Sequence, residues 1–204
     1  MTDSEELAGV VLSREPAGER FLRIHIFDQT SGLRVALFPR PLKKAAKAPP
    51  PDLFDDIQCL LQQQPSANSI PFVRDFEKIY TFRELATQPS LFLTAGEMAR
   101  FYLTNGSHLL DPAPQLKLLR TSLEALGRAS VPKVVLIKLY FCFARNEGLP
   151  VRESWLAGLP EDRGESALLI LKQHVDQIRV EPERINQILL SIQMWMNAET
   201  ELQV

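Results

Sequence analysis

Strict alternation of apolar and polar side chains marks the first part of the chain. Between Phe21 and Phe27, Leu22, Ile24 and Ile26 fall on one side, and Arg23 and His25 on the other. A period of two predicts a strand with one buried face. After Gln29-Thr30-Ser31-Gly32, Leu33, Val35 and Leu37 alternate with Arg34 and Ala36. Segments 20–28 and 33–39 are therefore predicted to form a hairpin, with the leucines and valine of the second strand facing inward. Val10 to Ser13 predicts a strand before it, and Leu53 to Leu61 and Ile70 to Tyr80 predict weaker ones after it. Five short strands in this span predict a small closed β-barrel, because closure removes exposed edges. Segment 39–51 carries five prolines and three lysines. Proline cannot donate to a ladder, so this segment is predicted as a long, basic, exposed loop.

From residue 81 the period becomes helical. Thr81 with Glu84, and Thr94 with Glu97, each fit the capping box that opens a helix. Asn105-Gly106 predicts a stop, and Asp111-Pro112 a new start whose Leu116, Leu119, Leu123 and Leu126 form one stripe before Gly127. Ser130 and Pro132 open a helix that is apolar almost all round from Val134 to Phe143 and ends at Gly148 and Pro150. It is expected to be the buried centre of this half. Arg152 to Gly164 reads as a connection holding Trp155. Two further helices are predicted: Ser166 to Ile178, with Leu168, Leu171, Val175 and Ile178 in line, and Pro182 to Asn197, with Ile185, Leu189, Ile192 and Met196. The expected border between the two halves lies near Tyr80.

Composition changes this picture little: 45% hydrophobic and 24% charged residues at a net charge of −2 are ordinary for a globular protein and exclude a uniformly basic one. The acidic start, Met1 to Glu6, is unlike a targeting segment, and the apolar run Val134 to Ile137 is bounded by Lys133 and Lys138. A soluble, cytoplasmic protein with no membrane contact is expected. Cys59 and Cys142 are too few for a disulfide framework or a zinc module, and His25, His108 and His174 share no ligand spacing with them. No metal and no cofactor are expected. The nine glycines never lie closer than six positions, Gly158 to Gly164, so no phosphate-cradling loop can be written. Gly164-Glu165-Ser166 starts like a nucleophile elbow but has Leu168 in place of the second glycine, and Ser166 reads better as a helix N-cap. Adjacent Asp55 and Asp56 would face opposite sides of a strand. Cys142 reads as packing. No enzyme is expected.

Charge is uneven, however. Between residues 7 and 48 stand eight basic residues, Arg14, Arg20, Arg23, Arg34, Arg40, Lys43, Lys44 and Lys47, against three acidic ones, Glu15, Glu19 and Asp28. Arg23 and Arg34 occupy the polar phase of adjacent predicted strands, and Phe21 and Phe27 share a phase with Arg23. Arginines that track phosphates beside rings that stack on bases are how small barrels hold single-stranded nucleic acid. A solvated polar face with phenylalanines closing the barrel end fits the same residues equally.

Val10-Val11-Leu12-Ser13-Arg14, then Gly18-Glu19, a strand ending in Phe27, and Gly32-Leu33 resemble the N-terminal barrel of the bacterial recombination mediator RecO family. The apolar helix Val134 to Gly148, followed by Pro150, resembles a helix of the same family. The resemblance implies an α+β chain: a five-stranded OB-like β-barrel over residues 1–80 followed by an all-helical domain over 81–204. It implies a non-enzymatic protein that binds single- and double-stranded DNA, anneals strands, and acts with a RecR-like protein and the single-strand-binding protein SSB in recombinational repair. Arg14, Arg20, Arg23, Arg34, Arg40, Lys43, Lys44 and Lys47 would carry the DNA contacts. Two departures stand out. Val151 to Gly164, where many members carry a four-cysteine zinc module, has no cysteine, so this would be a zinc-free variant. Prolines replace the glycines usual in the basic stretch.

The resemblance also implies a pocket on the helices for the acidic, phenylalanine-ending tail of SSB. Phe101, Tyr102 and Leu119 would form its slot, with Arg100, Lys117, Arg120 and Arg128 as the surrounding cations. The alternative is a protein-interaction adaptor of the same fold with little DNA affinity, which the acidic overall balance and glycine-poor loop favour.

Overall fold

The structure, a computed structural model, describes residues 4–40, 49–63 and 69–204. It is a mixed α+β chain in which five strands precede the helices: β1 (Ser4–Ala17), β2 (Phe21–Asp28), β3 (Gly32–Pro39), β4 (Asp55–Gln62) and β5 (Phe72–Thr81). Five α-helices follow: α1 (Pro89–Asn105), α2 (Pro112–Leu126), α3 (Lys133–Asn146), α4 (Glu161–Lys172) and α5 (Pro182–Glu199). Contacts divide the chain into two compact units, one of Met1–Phe82 with Tyr102–Leu116, the other of Arg83–Phe101 with Lys117–Val204. The second part of the sequence thus lends a segment, residues 102–116, to the unit that holds the strands.

In the first unit the strands close in the order β1-β2-β3-β5-β4. Closure depends on the length of β1: its first half pairs with β4, from Ser4 opposite Gln62 to Val10 opposite Asp56, and its second half with β2. Early in the second half Leu12 has no partner in the β2 ladder, a bulge that bends the strand. The parallel seam of β3 with β5 is thin, a single pair of Leu37 with Phe72, supported by Leu37 N–H donating to Pro71 O at 2.8 Å. Leu7, Val11, Leu22, Ile24, Ile26, Ala36, Phe38, Ile57, Cys59, Leu61 and Val73 fill the interior.

The inward face of β3 is the reverse of the one its own pattern predicts. Ala36 and Phe38 are buried, while Leu33, Val35 and Leu37 are only half-buried. The hairpin loop decides this. Asp28 pairs with Gly32 across a three-residue loop, which sets Ile24 opposite Ala36 and Leu22 opposite Phe38. Residues directly opposite in a ladder share a face, so the even-numbered core of β2 forces an even-numbered core on β3. Gly32, at φ 69°, supplies the left-handed backbone that ends the loop.

A fully buried carboxylate fixes the start of β4. Asp55 accepts from Lys78 Nζ at 2.6 Å, from Asp52 N–H at 2.7 Å and from Thr81 Oγ1 at 2.8 Å. Thr81 is therefore spent as the last residue of β5 and caps no helix; only a short 3-10 turn, Arg83–Ala86, follows. Beside Asp55, Phe54 holds φ at 64°, a rare state for a bulky side chain. Its buried ring and the 2.8 Å bond from its N–H to Val11 O hold it there.

In the second unit α3 is buried nearly all round, as its composition predicts. Phe101 packs edge-on against Tyr140 and Phe143, with ring centroids 5.1 and 4.7 Å apart. Ile185, Leu189, Ile192 and Met196 face inward from α5. Trp155, in the π-helical turn Val151–Leu156, donates to Ser191 Oγ at 3.1 Å. Two predicted helix starts move. Thr94 lies inside α1, donating back to Ser90 O at 2.8 Å, because Pro89 already supplies a fixed φ at the first helical position. Ser166 lies inside α4 and donates to Asp162 O at 3.0 Å. Pro160 precedes that helix, and Glu161 and Asp162 complement the dipole of its first turn. The buried face also differs from the expected stripe: Ala167 and Ile170 are buried and Leu168 is exposed. No helix among the described residues is long and apolar enough to cross a membrane.

Replacing Asp55 with alanine strands the Lys78 ammonium and two neighbouring donors. The expected loss is about 3 kcal/mol, at the lower end for a broken buried pair because Lys78 keeps a path to water. Thr81→Val, which removes one bond, is expected to cost about 1 kcal/mol. Urea unfolding measures both, and an Asp55→Ala protein within about 0.5 kcal/mol of wild type would refute the anchoring role.

Candidate nucleic-acid interface

The outer face of β1 and β2 is built by cross-strand pairs. Glu15 lies opposite Arg23, and Ser13 opposite His25. Arg23 Nη1 reaches Glu15 Oε1 at 3.1 Å, and Ser13 Oγ shares a 2.6 Å hydrogen bond with His25 Nδ1. Burial is the main cause that lowers the His25 pKa below its ordinary value; Glu15 opposes the shift and Arg23 adds to it. Next to this row, Phe21 meets Phe72 at a centroid distance of 5.1 Å, and both rings are half-buried.

The expected site residues scatter. Arg34 does not share a face with Arg23: it lies opposite Ile26, on the core phase of β3, and reaches Glu5 Oε2 at 2.8 Å and Ser31 Oγ at 3.3 Å. The loop parity that places Ala36 inward places Arg34 there as well. Arg14 approaches Asp52 at 3.5 Å and donates to Pro51 O at 3.2 Å. Arg20 is exposed in the turn before β2 and Arg40 is half-buried just past β3. Lys43, Lys44 and Lys47, and with them most of the proline-rich loop, lie outside the described residues. Phe27 is no stacking surface. It is fully buried, and Tyr102 packs edge-on against it at 4.8 Å.

Arg14, Arg23 and Arg34 each have a carboxylate partner, and this weakens the basic character counted along the sequence. Two of those partners, Glu5 and Asp52, lie just outside the window 7–48 in which the charges were counted. Barrel closure brings Glu5 of β1 to Arg34 of β3, strands that are not neighbours, across 29 positions of sequence.

The expected apolar slot for an acidic tail is not there. Phe101, Tyr102 and Leu119 are all buried, and Tyr102 Oη donates to Gln115 O at 2.9 Å. Their periodicity was that of core positions. Arg100, Lys117 and Arg128 are exposed and Arg120 half-buried, so cations stand on the helices without the slot.

Neither thiol is poised for chemistry. Burial, and then the charge of Asp28, push Cys59 up to about 12, and burial also raises Cys142. Among the described residues no group of three or more His, Cys, Asp or Glu side chains is placed to hold a metal. No protein-family model and no curated protein matches the chain.

A histidine with a lowered folded pKa resists protonation in the folded state more than in the unfolded one. Its contribution to stability is complete above the ordinary value of about 6.5 and is lost as pH falls through the folded value. Wild-type stability is therefore expected to drop from pH 7 toward pH 5, and His25→Gln to flatten that part of the profile. Denaturation midpoints across this range check it; parallel profiles would remove His25 as the cause.

Proposed function

We propose that the chain is a non-enzymatic, cytoplasmic DNA-binding protein of the RecO type, whose strand-bearing unit is an OB-like barrel that holds single-stranded nucleic acid. The observation that carries this reading is topological. Five strands closing as β1-β2-β3-β5-β4, with β3 and β5 parallel at the seam, is the arrangement of OB-like barrels, and these bind oligonucleotides across the face of strands two and three. On this chain that face carries Arg23 and His25 from β2 and half-buried Val35 and Leu37 from β3, with exposed Arg20 beside it. Cations for phosphates lie next to apolar surface for bases. In this reading the protein anneals or protects strands during recombinational repair, with double-stranded DNA, a RecR-like protein and SSB as further partners. With Phe101 and Tyr102 buried, an SSB tail would have to engage the exposed helix cations without that slot.

A second reading, an interaction adaptor with little DNA affinity, is favoured by one observation: Arg14, Arg23 and Arg34 are each held by a carboxylate.

Fluorescence anisotropy with a labelled single-stranded oligonucleotide separates the two. The mediator reading expects binding that weakens steeply with added salt, and an Arg20→Glu, Arg23→Glu double variant that binds about tenfold more weakly, the loss of roughly two charge-assisted contacts. No binding at low salt would leave the adaptor.

A further inference from the structure

Half of the described arginines of the strand-bearing unit, Arg14, Arg23 and Arg34, are neutralised by carboxylates. A cluster of positive charge without carboxylate partners lies in the other unit. An open groove of about 680 Å³ lies where the end of α2, the middle of α3 and the segment after α4 meet. Arg128, Lys138, Lys172 and His174 line it, against a single acidic residue, Asp176. Arg128, Lys172 and His174 are exposed. Neither Arg128 nor Lys172 has a carboxylate within ion-pair distance among the described residues. Two other grooves differ in sign. One on β4 and β5 is lined by Glu6, Asp75 and Glu77 with no cation. The other, between α4 and α5, balances Arg179 and Arg184 with Glu181 and Glu183.

Lys138 gives the groove a fixed floor. It interrupts the apolar face of α3, and its half-buried ammonium donates to Leu171 O at 3.1 Å and Gln173 O at 2.8 Å. Those carbonyls belong to the C-terminal end of α4, where a cation offsets the helix dipole. Burial lowers its pKa, yet an ammonium has three donors and the carbonyls use two. The held lysine and the two exposed cations leave the groove short of negative charge.

We propose that this groove binds the phosphate backbone of a nucleic-acid strand, as a site separate from the barrel face. The inference deepens the nucleic-acid reading above and rests on it for the class of ligand. Its lining favours a sugar-phosphate chain over an acidic peptide with an apolar anchor. The remaining groups are mainly hydroxyl and amide, Thr121, Gln173 and Gln177, and the apolar ones are small. Sugar and phosphate oxygens use such donors without a ring pocket. A second cationic track on one molecule would let two strands be held at once.

Anisotropy titrations of the full chain with labelled oligothymidylate over a salt series test this, using an Arg128→Glu, Lys172→Glu variant and, in parallel, the Arg20→Glu, Arg23→Glu variant. Both groove positions are exposed, and far-UV circular dichroism verifies that the variants fold; Arg128→Gln, Lys172→Gln gives a milder second measurement. The groove variant is expected to bind at least tenfold more weakly, and its slope of log affinity against log salt to fall by about 1.4, two phosphates' worth for a single strand. Loss in the barrel variant with an unchanged groove variant overturns the groove and leaves the barrel reading standing. Loss in the groove variant alone supports the groove and removes the barrel face. Wild-type protein that binds no oligothymidylate at low salt overturns both. If the groove variant loses binding to an oligoglutamate peptide but keeps oligothymidylate, the groove serves an acidic protein segment and the proposal fails.

Discussion

The three-residue loop between β2 and β3 governs more of the barrel than its size suggests. Asp28, itself buried, accepts from the N–H groups of Thr30 at 3.0 Å and Ser31 at 2.6 Å, which closes the loop at that length. A loop one residue shorter or longer would change the parity of the ladder and turn every side chain of β3 to the other face. At the observed length Ala36 and Phe38 complete the core, while Leu33, Val35 and Leu37 are left on the outside. The same parity draws Arg34 away from Arg23 and toward Glu5. One carboxylate in a turn therefore settles both the packing of the interior and which cations can act together on the surface.

Electrostatics in the two units follows from how their cations are supplied. In the barrel, basic and acidic residues alternate along the strands, so register pairs Glu15 with Arg23 and closure brings Glu5 of β1 to Arg34 of β3, strands that are not neighbours. Exposed pairs of this kind contribute little to stability, about 0–1 kcal/mol each, but they do lower the charge available to a ligand. At the helix ends of the other unit no such register operates. Arg128 follows the end of α2 and Lys172 closes α4, places where cations favour the dipole and no strand carries an acid opposite them. Free positive charge gathers there for that reason.

How legible the chain was depended on whether the relevant signal is local. Strand β2 and helices α2 and α5 follow the apolar period closely, because each buries one stripe and the stripe is written in consecutive residues. Helix starts were less legible where two local signals compete. Thr81 and Thr94 carry a capping pattern, but Thr81 is claimed by Asp55 and Thr94 sits behind Pro89. The face of β3 could not be read from β3 at all, since its own leucines and valine point to the wrong side and the loop decides. Of the candidate site, the residue types were legible and their neighbours were not: Glu15 reaches Arg23 through register, Asp52 reaches Arg14 from a loop, and Glu5 reaches Arg34 only through closure of the barrel. Lys138 was visible only as an interruption of an apolar helix, and that interruption was the sign that its ammonium needed a polar partner.

The division of the chain into units adds a constraint that neither period nor composition announces. Tyr102 begins the segment that joins the strands, covering Phe27 with its ring and tying its hydroxyl to Gln115 O, while Gly106 accepts from Leu33 N–H at 3.0 Å. Phe27 lies on the face of β2 opposite to the barrel interior, so a barrel cut off at residue 80 would expose that ring and leave the Leu33 donor without its acceptor. Burying a phenylalanine is worth roughly 1.5–3 kcal/mol, a large share of what a small barrel commands. Residues 102–116 are thus part of the barrel's own stability, and its edge of sequence is not its edge of structure. The pattern that predicted helices there was correct about their local form. What they pack against was decided by Phe27, seventy-five positions earlier in the ring contact it makes with Tyr102.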